Sequence, residues 1–124
     1  LVTPRIVRSV SDALDAADGA VAASPVADTV KRATPGGHVS ETVDRTGLWR
    51  AETPQGFRAD VMRRVFAAAD DAALGEATDC ASMMERAGNR IRLVDSVTPN
   101  MKVTTAADAV VVAALLRFAP GGGA

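Results

Sequence analysis

The run Ala20-Val21-Ala22-Ala23, closed by Gly19 on one side and Ser24-Pro25 on the other, has no polar face. A strand that alternates apolar and polar residues covers a core from one side. A strand that is apolar at every position is covered from both, as in a parallel sheet with helices above and below. In front of it, Thr3-Pro4 supplies a hydroxyl to cap a helix and a proline at the position where its missing N–H costs nothing. Ile6, Val7, Val10, Ala13, Leu14 and Ala17 follow at helical spacing, and Gly19 is suited to close that helix in a left-handed conformation. A helix leading into a strand buried on both sides implies an earlier strand. It predicts an α/β domain with a mostly parallel sheet and helices on both faces.

Further along, Val61, Met62, Val65, Phe66, Ala69 and Ala73 predict one amphipathic helix, with Asp60, Arg63, Arg64 and Asp70 outside. Thr78 is suited to cap a second helix, containing Ala81 and Met84 and ending at Gly88. Ile91 to Val94 reads as a short strand, with Met101 to Val103 as another beside it. Thr105-Ala106-Ala107-Asp108 has the form of a capping box with Asp in place of Glu. Its helix runs through Val110, Val111, Ala114, Leu115 and Phe118 to Pro120-Gly121-Gly122-Gly123, leaving 120–124 as a flexible tail. Residues 1–119 then make one domain, large enough to bury a core. With three Phe and one Trp to fill volume, that core is built from many small contacts.

Residues 26–46 differ in character. Two polar strands, Asp28 to Ala33 and His38 to Asp44, flank Thr34-Pro35-Gly36-Gly37, where Pro followed by Gly suits the centre of a type II turn. Neither strand has the apolar surface for a core, and isolated hairpins are marginal in water. Such an arm needs a support, and a second copy of the chain is the economical one. The net charge of -1, from 14 basic and 15 acidic residues, steers the chain to neither nucleic acid nor an anionic membrane, so any anion site must be local. A single cysteine, Cys80, excludes an intramolecular disulfide and offers no metal-ligand cluster. The apolar run from Ala109 to Leu116 is too short to cross a bilayer. The expectation is a cytoplasmic protein without a membrane partner.

Chemistry concentrates between Thr42 and Phe57, which hold the single Trp, two Arg, three Thr and what reads as a Thr-Pro-Gln-Gly turn. This reads as a phosphate- and hydroxyl-binding lip. Trp49 is expected in the core, and Thr53 where strand ends meet loops, the usual place for sites in open α/β sheets. Several of these side chains have plainer roles open to them. Arg45 could form an exposed ion pair with Asp44 or Asp28. Thr29 could be a β-former on an edge strand, and Thr78 a helix cap, which does not preclude anion binding at the same helix start. Lys102 could simply be solvated. Lys31 and Arg32 divide evenly between solvated and phosphate-facing, and His38 reads as solvent-exposed.

Four blocks bear on these readings. They are Asp28-Thr29-Val30-Lys31; Thr42-Val43-Asp44-Arg45 running on through Leu48-Trp49 to Thr53-Pro54-Gln55; Thr78-Asp79-Cys80-Ala81-Ser82; and Asn100-Met101-Lys102-Val103-Thr104. In this order and spacing the chain resembles the 2-C-methyl-D-erythritol 4-phosphate cytidylyltransferases of the non-mevalonate isoprenoid pathway, from Val2 to Phe118. The resemblance covers the C-terminal half of the family pattern, part of a Rossmann-like nucleotidyltransferase fold. It implies that methylerythritol phosphate attacks the α-phosphorus of CTP with Mg²⁺ assisting, and that the arm forms a homodimer. It further implies that Thr29, Arg45, Thr53, Thr78 and Lys102 bind substrate, with Lys102 also catalytic. The glycine-rich phosphate loop, the cytosine-reading residues and the acidic Mg²⁺ ligand are implied to lie upstream of Leu1, so this segment holds no metal ligand and is expected to be inactive alone. A polyol-phosphate cytidylyltransferase acting on ribitol phosphate, and a non-catalytic dimerisation module, are the alternatives. Cys80 departs from the family, which usually has an acidic residue there, and is read as buried filler. Glu52 stands where the family often has Gln or Leu.

Overall fold

The computed structural model describes residues 1–97 and 99–118. Helix α1 (Pro4–Ala13) begins as expected, the Thr3 hydroxyl accepting from the Ile6 backbone N–H at 3.3 Å. Its end is not at Gly19. The helix stops at Leu14, and Gly19 is the first residue of strand β1 (Gly19–Pro25). A glycine is needed there for packing: a Cβ would sit 2.5 Å from Phe57 Cδ1 and 2.7 Å from Ile91 Cδ1. As its composition dictates, β1 is buried from Gly19 to Ala23 and is the central strand.

The neighbours of β1 are β4 (Trp49–Phe57) and β5 (Ile91–Asp95), in the order β4-β1-β5. β5 runs parallel to β1 and β4 antiparallel, so the sheet is mixed among the described strands where the apolar run alone predicts a mostly parallel one. A strand covered on both faces can take an antiparallel neighbour without changing its pattern, so the composition of β1 does not carry this information. Ala20 and Ala22 pack against Ile6 and Val10 of α1. Val21 and Ala23 point to the other face. α4 (Cys80–Arg86) also packs on β1 and supplies Ala81, Met83 and Met84, the last fully buried.

Between β1 and β4 the chain makes a separate two-stranded antiparallel sheet, β2 (Val30–Ala33) with β3 (Val39–Val43). It is the expected arm with shorter strands. Its turn is not type II: Gly37, not Gly36, has the positive φ of 80°, and the Gly37 N–H donates to the Thr34 carbonyl. That is a tight turn followed by a left-handed glycine, a common hairpin closure. Lys31 donates to the Thr42 hydroxyl and Arg32 pairs with Glu41, so both cations are tied across the hairpin. Apart from half-buried Val30 and Val43, the two strands are exposed.

The predicted single helix over 61–73 is two, α2 (Ala59–Ala68) and α3 (Asp71–Glu76), because Ala69 leaves the helical conformation and Asp70 caps a new start. No strand forms at 101–103; β5 is followed by a loop that leads to α5 (Ala106–Phe118). The capping box at α5 forms as the sequence predicts, the Asp108 carboxylate accepting from the backbone N–H of Thr105 and the Thr105 hydroxyl accepting from that of Asp108. Val110, Val111 and Leu116 of this helix are exposed. The tail read at 120–124 lies outside the described residues. Among the described residues, no helix is long and apolar enough to cross a membrane.

Candidate functional site

A cleft of about 1030 Å³ opens where β1 and β5 reach their carboxyl ends, the place where open α/β sheets bind ligands. Ser24 and Pro25 from β1, Arg50 to Thr53 and Gln55 from β4, Asp95 at the end of β5 with Ser96 after it, Thr78 and Asp79 before α4, and the loop from Pro99 to Lys102 line it.

The bottom of the cleft depends on an irregularity in β4. Val21 pairs with Gln55 and Ala23 with Ala51, so three residues of β4 oppose one of β1. Pro54 has no N–H for the ladder, and strand prolines are confined to such breaks. Thr53 therefore sits on a bulge inside a nine-residue strand, not in a loop, and its side chain is exposed at the cleft. The expected lip from Thr42 to Phe57 divides accordingly: its first residues belong to β3 and its last nine to β4. Trp49, expected in the core, is 38 % exposed as the first residue of β4.

Asn100 fastens the bulge to the loop. It is 9 % exposed, and its Nδ2 donates to the Thr53 carbonyl. Two residues on, Lys102 is exposed at the cleft and makes no hydrogen bond or ion pair among the described residues, leaving its ammonium available to an anion. The far end of the loop is fixed by Asp108, which accepts from Thr104 through both its backbone N–H and its hydroxyl. These bonds, with those from Thr105, hold the Asp108 carboxyl down at about 2. Asn100 and Thr104, which flank Lys102 in sequence, thus position the loop.

Thr78 is not the cap of α4. Asp79 is: its Oδ1 accepts from the Ser82 backbone N–H at 2.8 Å, and the Ser82 hydroxyl accepts in return from the Asp79 backbone N–H at 3.3 Å. The other Asp79 oxygen accepts from Gln55 Nε2 at 2.8 Å, tying α4 to β4. Burial raises the Asp79 pKa, and the bonds from Gln55 and Ser82 outweigh it, so the carboxyl lies below its ordinary value. Thr78 precedes the cap; it is exposed and lines the cleft. Cys80, read as buried filler, is exposed: it is the first residue of α4, and the buried face of the helix is made by Ala81, Met83 and Met84.

Of the five predicted binding residues, the structure brings Thr53, Thr78 and Lys102 together and leaves Thr29 and Arg45 apart. Thr29 directly precedes β2 and Arg45 follows β3; both are exposed and neither lines the cleft. Arg45 forms no ion pair among the described residues; Asp44 instead accepts from the Thr46 backbone N–H. Ser24 and Arg50 line the cleft unannounced by the motifs, and finding them requires knowing that β4 is a strand paired with β1.

The chain matches the family model of IspD, 2-C-methyl-D-erythritol 4-phosphate cytidylyltransferase, over residues 1–118. The chain belongs to this family. It is 47 % identical over 117 residues to the 2-C-methyl-D-erythritol 4-phosphate cytidylyltransferase of Rubrobacter xylanophilus, a match covering 94 % of this chain and 50 % of the relative. A crystal structure of 4-diphosphocytidyl-2C-methyl-D-erythritol synthase aligns with a TM-score of 0.75 at 43 % identity, covering 94 % of this chain and 51 % of that one. The 2-C-methyl-D-erythritol 4-phosphate cytidylyltransferase of Thermus thermophilus aligns with a TM-score of 0.81 at 30 % identity, covering 94 % and 57 %. The chain thus spans about half the length of the relatives it matches.

Among the described residues no group of three His, Cys, Asp or Glu side chains converges. Both Asp79 oxygens already accept hydrogen bonds, and Asp95 accepts from the Val97 N–H.

Proposed function

We propose that this segment is the acceptor-binding and dimerisation portion of a cytidylyltransferase that transfers CMP from CTP to 2-C-methyl-D-erythritol 4-phosphate in isoprenoid precursor biosynthesis. It is then the C-terminal half of a Rossmann-like nucleotidyltransferase fold in a cytoplasmic enzyme that does not act on nucleic acid. The observation that carries the reading is the convergence of Thr53, Thr78 and Lys102 on one cleft at the carboxyl ends of β1 and β5. A phosphate oxygen of the acceptor attacks the α-phosphorus of CTP; the new P–O bond forms as the bond to the β-phosphate breaks and pyrophosphate leaves. Transfer of this kind asks the protein for positioning and charge stabilisation. Lys102 supplies a point charge beside the reacting phosphates, and the Thr53 and Thr78 hydroxyls hold acceptor oxygens.

Thr29 and Arg45 fit the same reading only if the arm reaches the cleft of a second copy, since neither lines the cleft of its own chain. Arg45 then clamps the acceptor phosphate with its planar fork. The glycine-rich phosphate loop, the cytosine-reading residues and the Mg²⁺ ligand belong to the half of the domain outside this segment. The exposed Val110, Val111 and Leu116 of α5 and the exposed Leu93 of β5 support further protein covering these residues.

The test is pyrophosphate release with CTP and either 2-C-methyl-D-erythritol 4-phosphate or ribitol 5-phosphate. The complete enzyme containing this segment should prefer the former, and the 124 residues alone should give no product. In the complete enzyme, mixing an Arg45→Ala protein with a Lys102→Ala protein should restore activity in mixed dimers, because one cleft then has both groups. Equal use of ribitol phosphate, or product from the isolated chain, would overturn the respective part.

A further inference from the structure

The cleft is lined by two cations, and the proposed function uses one of them. The other, Arg50, lies on β4 opposite Ser24 of β1. Its Nε and Nη2 donate to the Ser24 hydroxyl oxygen at 3.3 and 2.9 Å. That hydroxyl donates its own proton to Glu52 Oε1 at 2.7 Å, and Glu52 Oε1 lies 3.9 Å from Arg50 Nη2. Arg50 and Glu52 are two residues apart on one strand, so they share a face, and Ser24 pairs with Arg50 in the ladder.

The burial of the three groups is unequal. The Glu52 side chain is 12 % exposed, and its Oε2 is buried with no hydrogen-bond partner. The Arg50 side chain is 66 % exposed. A buried carboxylate with one oxygen lacking a donor is costly unless a cation stands close. Glu52 therefore holds the guanidinium at the cleft wall through Ser24, while Nη1 makes no bond and faces no partner among the described residues. An ordinary exposed ion pair would have both partners in water; here one end is anchored and the other is presented.

We infer that Arg50 is a phosphate-binding residue of the cleft, with Ser24 and Glu52 as its positioning residues. A guanidinium with free N–H groups suits a phosphate oxyanion. The phosphate is that of the acceptor or that of the nucleotide, and the kinetics separate the two. The inference rests on the proposed function.

In the complete enzyme, Arg50→Ala should raise KM about tenfold or more for one phosphate substrate, the loss of a charge-assisted hydrogen bond. The substrate whose KM moves identifies the source and kcat should stay within about threefold, while the urea midpoint should fall, because Glu52 loses the cation beside its buried carboxylate. Arg50→Lys, which keeps charge and loses the fork, should fall between Arg50→Ala and wild type. Ser24→Ala should raise the same KM less, with Ser24→Thr restoring it. If Arg50→Ala does not fold, Arg50→Lys and Ser24→Ala carry the test. Unchanged KM for both substrates overturns the inference, as does a fall in the urea midpoint with KM constant. A wild-type enzyme that transfers no cytidylyl group overturns the proposed function and this inference with it; an active wild type with an unaffected Arg50→Ala overturns the inference alone.

Discussion

Asn100 joins the two parts of the site that bear Thr53 and Lys102, and replacing it tests whether that joint matters. It is 9 % exposed and its amide donates to the carbonyl of Thr53, on the β4 bulge, with Lys102 two residues further on. Asn100→Ala removes the donor and leaves that carbonyl without a partner, at a cost of about 1–3 kcal/mol. The unfolding equilibrium should shift by roughly 5- to 150-fold. The effect on chemistry is separate and can be larger. Once loop and bulge are unpinned, a misplacement on the order of 1 Å between hydroxyl and ammonium costs about 100-fold in rate. Asn100→Asp, which sets a carboxylate oxygen against a carbonyl oxygen, should be worse on both counts. Urea unfolding and kcat/KM of the complete enzyme measure the two effects, and a double-mutant cycle connects them. In a Lys102→Ala background, Asn100→Ala should cost less in kcat/KM, because one of the groups it positions is already gone. If Asn100→Ala leaves the urea midpoint and kcat/KM within twofold of wild type, the clamp is not what aligns these residues.

Asp79→Ala removes the cap of α4 together with the acceptor of Gln55, and should lower stability by about 1–3 kcal/mol in urea titration, with Asp79→Asn milder. The carboxyls of Asp79 and Asp108 both lie below their ordinary value of 3.8 when folded, so their stabilising effect is complete above that pH. It is lost as the pH falls through the folded values, about 2 for Asp108. An acid scan of the urea midpoint should therefore fall below pH 3.8, and less steeply in Asp108→Asn. Gly19→Ala drives a Cβ against the rings and methyls of Phe57 and Ile91 and should cost about 1–3 kcal/mol, read as a lower melting temperature. Val97, a β-branched residue at a φ of 60°, is strained at the edge of the cleft; Val97→Gly should stabilise the fold by on the order of 0.5–1 kcal/mol.

What the sequence determined by itself were features written in neighbouring residues. The all-apolar run at Ala20 to Ala23 is the central strand because no polar atom there requires solvent. Thr3-Pro4 starts α1 and Thr105 with Asp108 starts α5 because capping is settled within four residues. The hairpin from Val30 to Val43 was legible for the same reason, and three of the residues the motifs named, Thr53, Thr78 and Lys102, line one cleft. Tertiary structure decided what needs a partner from elsewhere in the chain. β4 is concealed in sequence by Pro54 and Gly56, which read as a turn until β1 supplies a ladder and the bulge absorbs the proline. Once β4 is paired, Trp49 is at a strand start and not in the core, and Arg50 stands opposite Ser24. Asp79 displaces Thr78 as the cap because it can hold Ser82 and Gln55 together, and Gln55 is 24 residues away. Gly19, which ends no helix, is a glycine because Phe57 and Ile91 arrive from two other strands, and only the packed sheet brings those side chains to it.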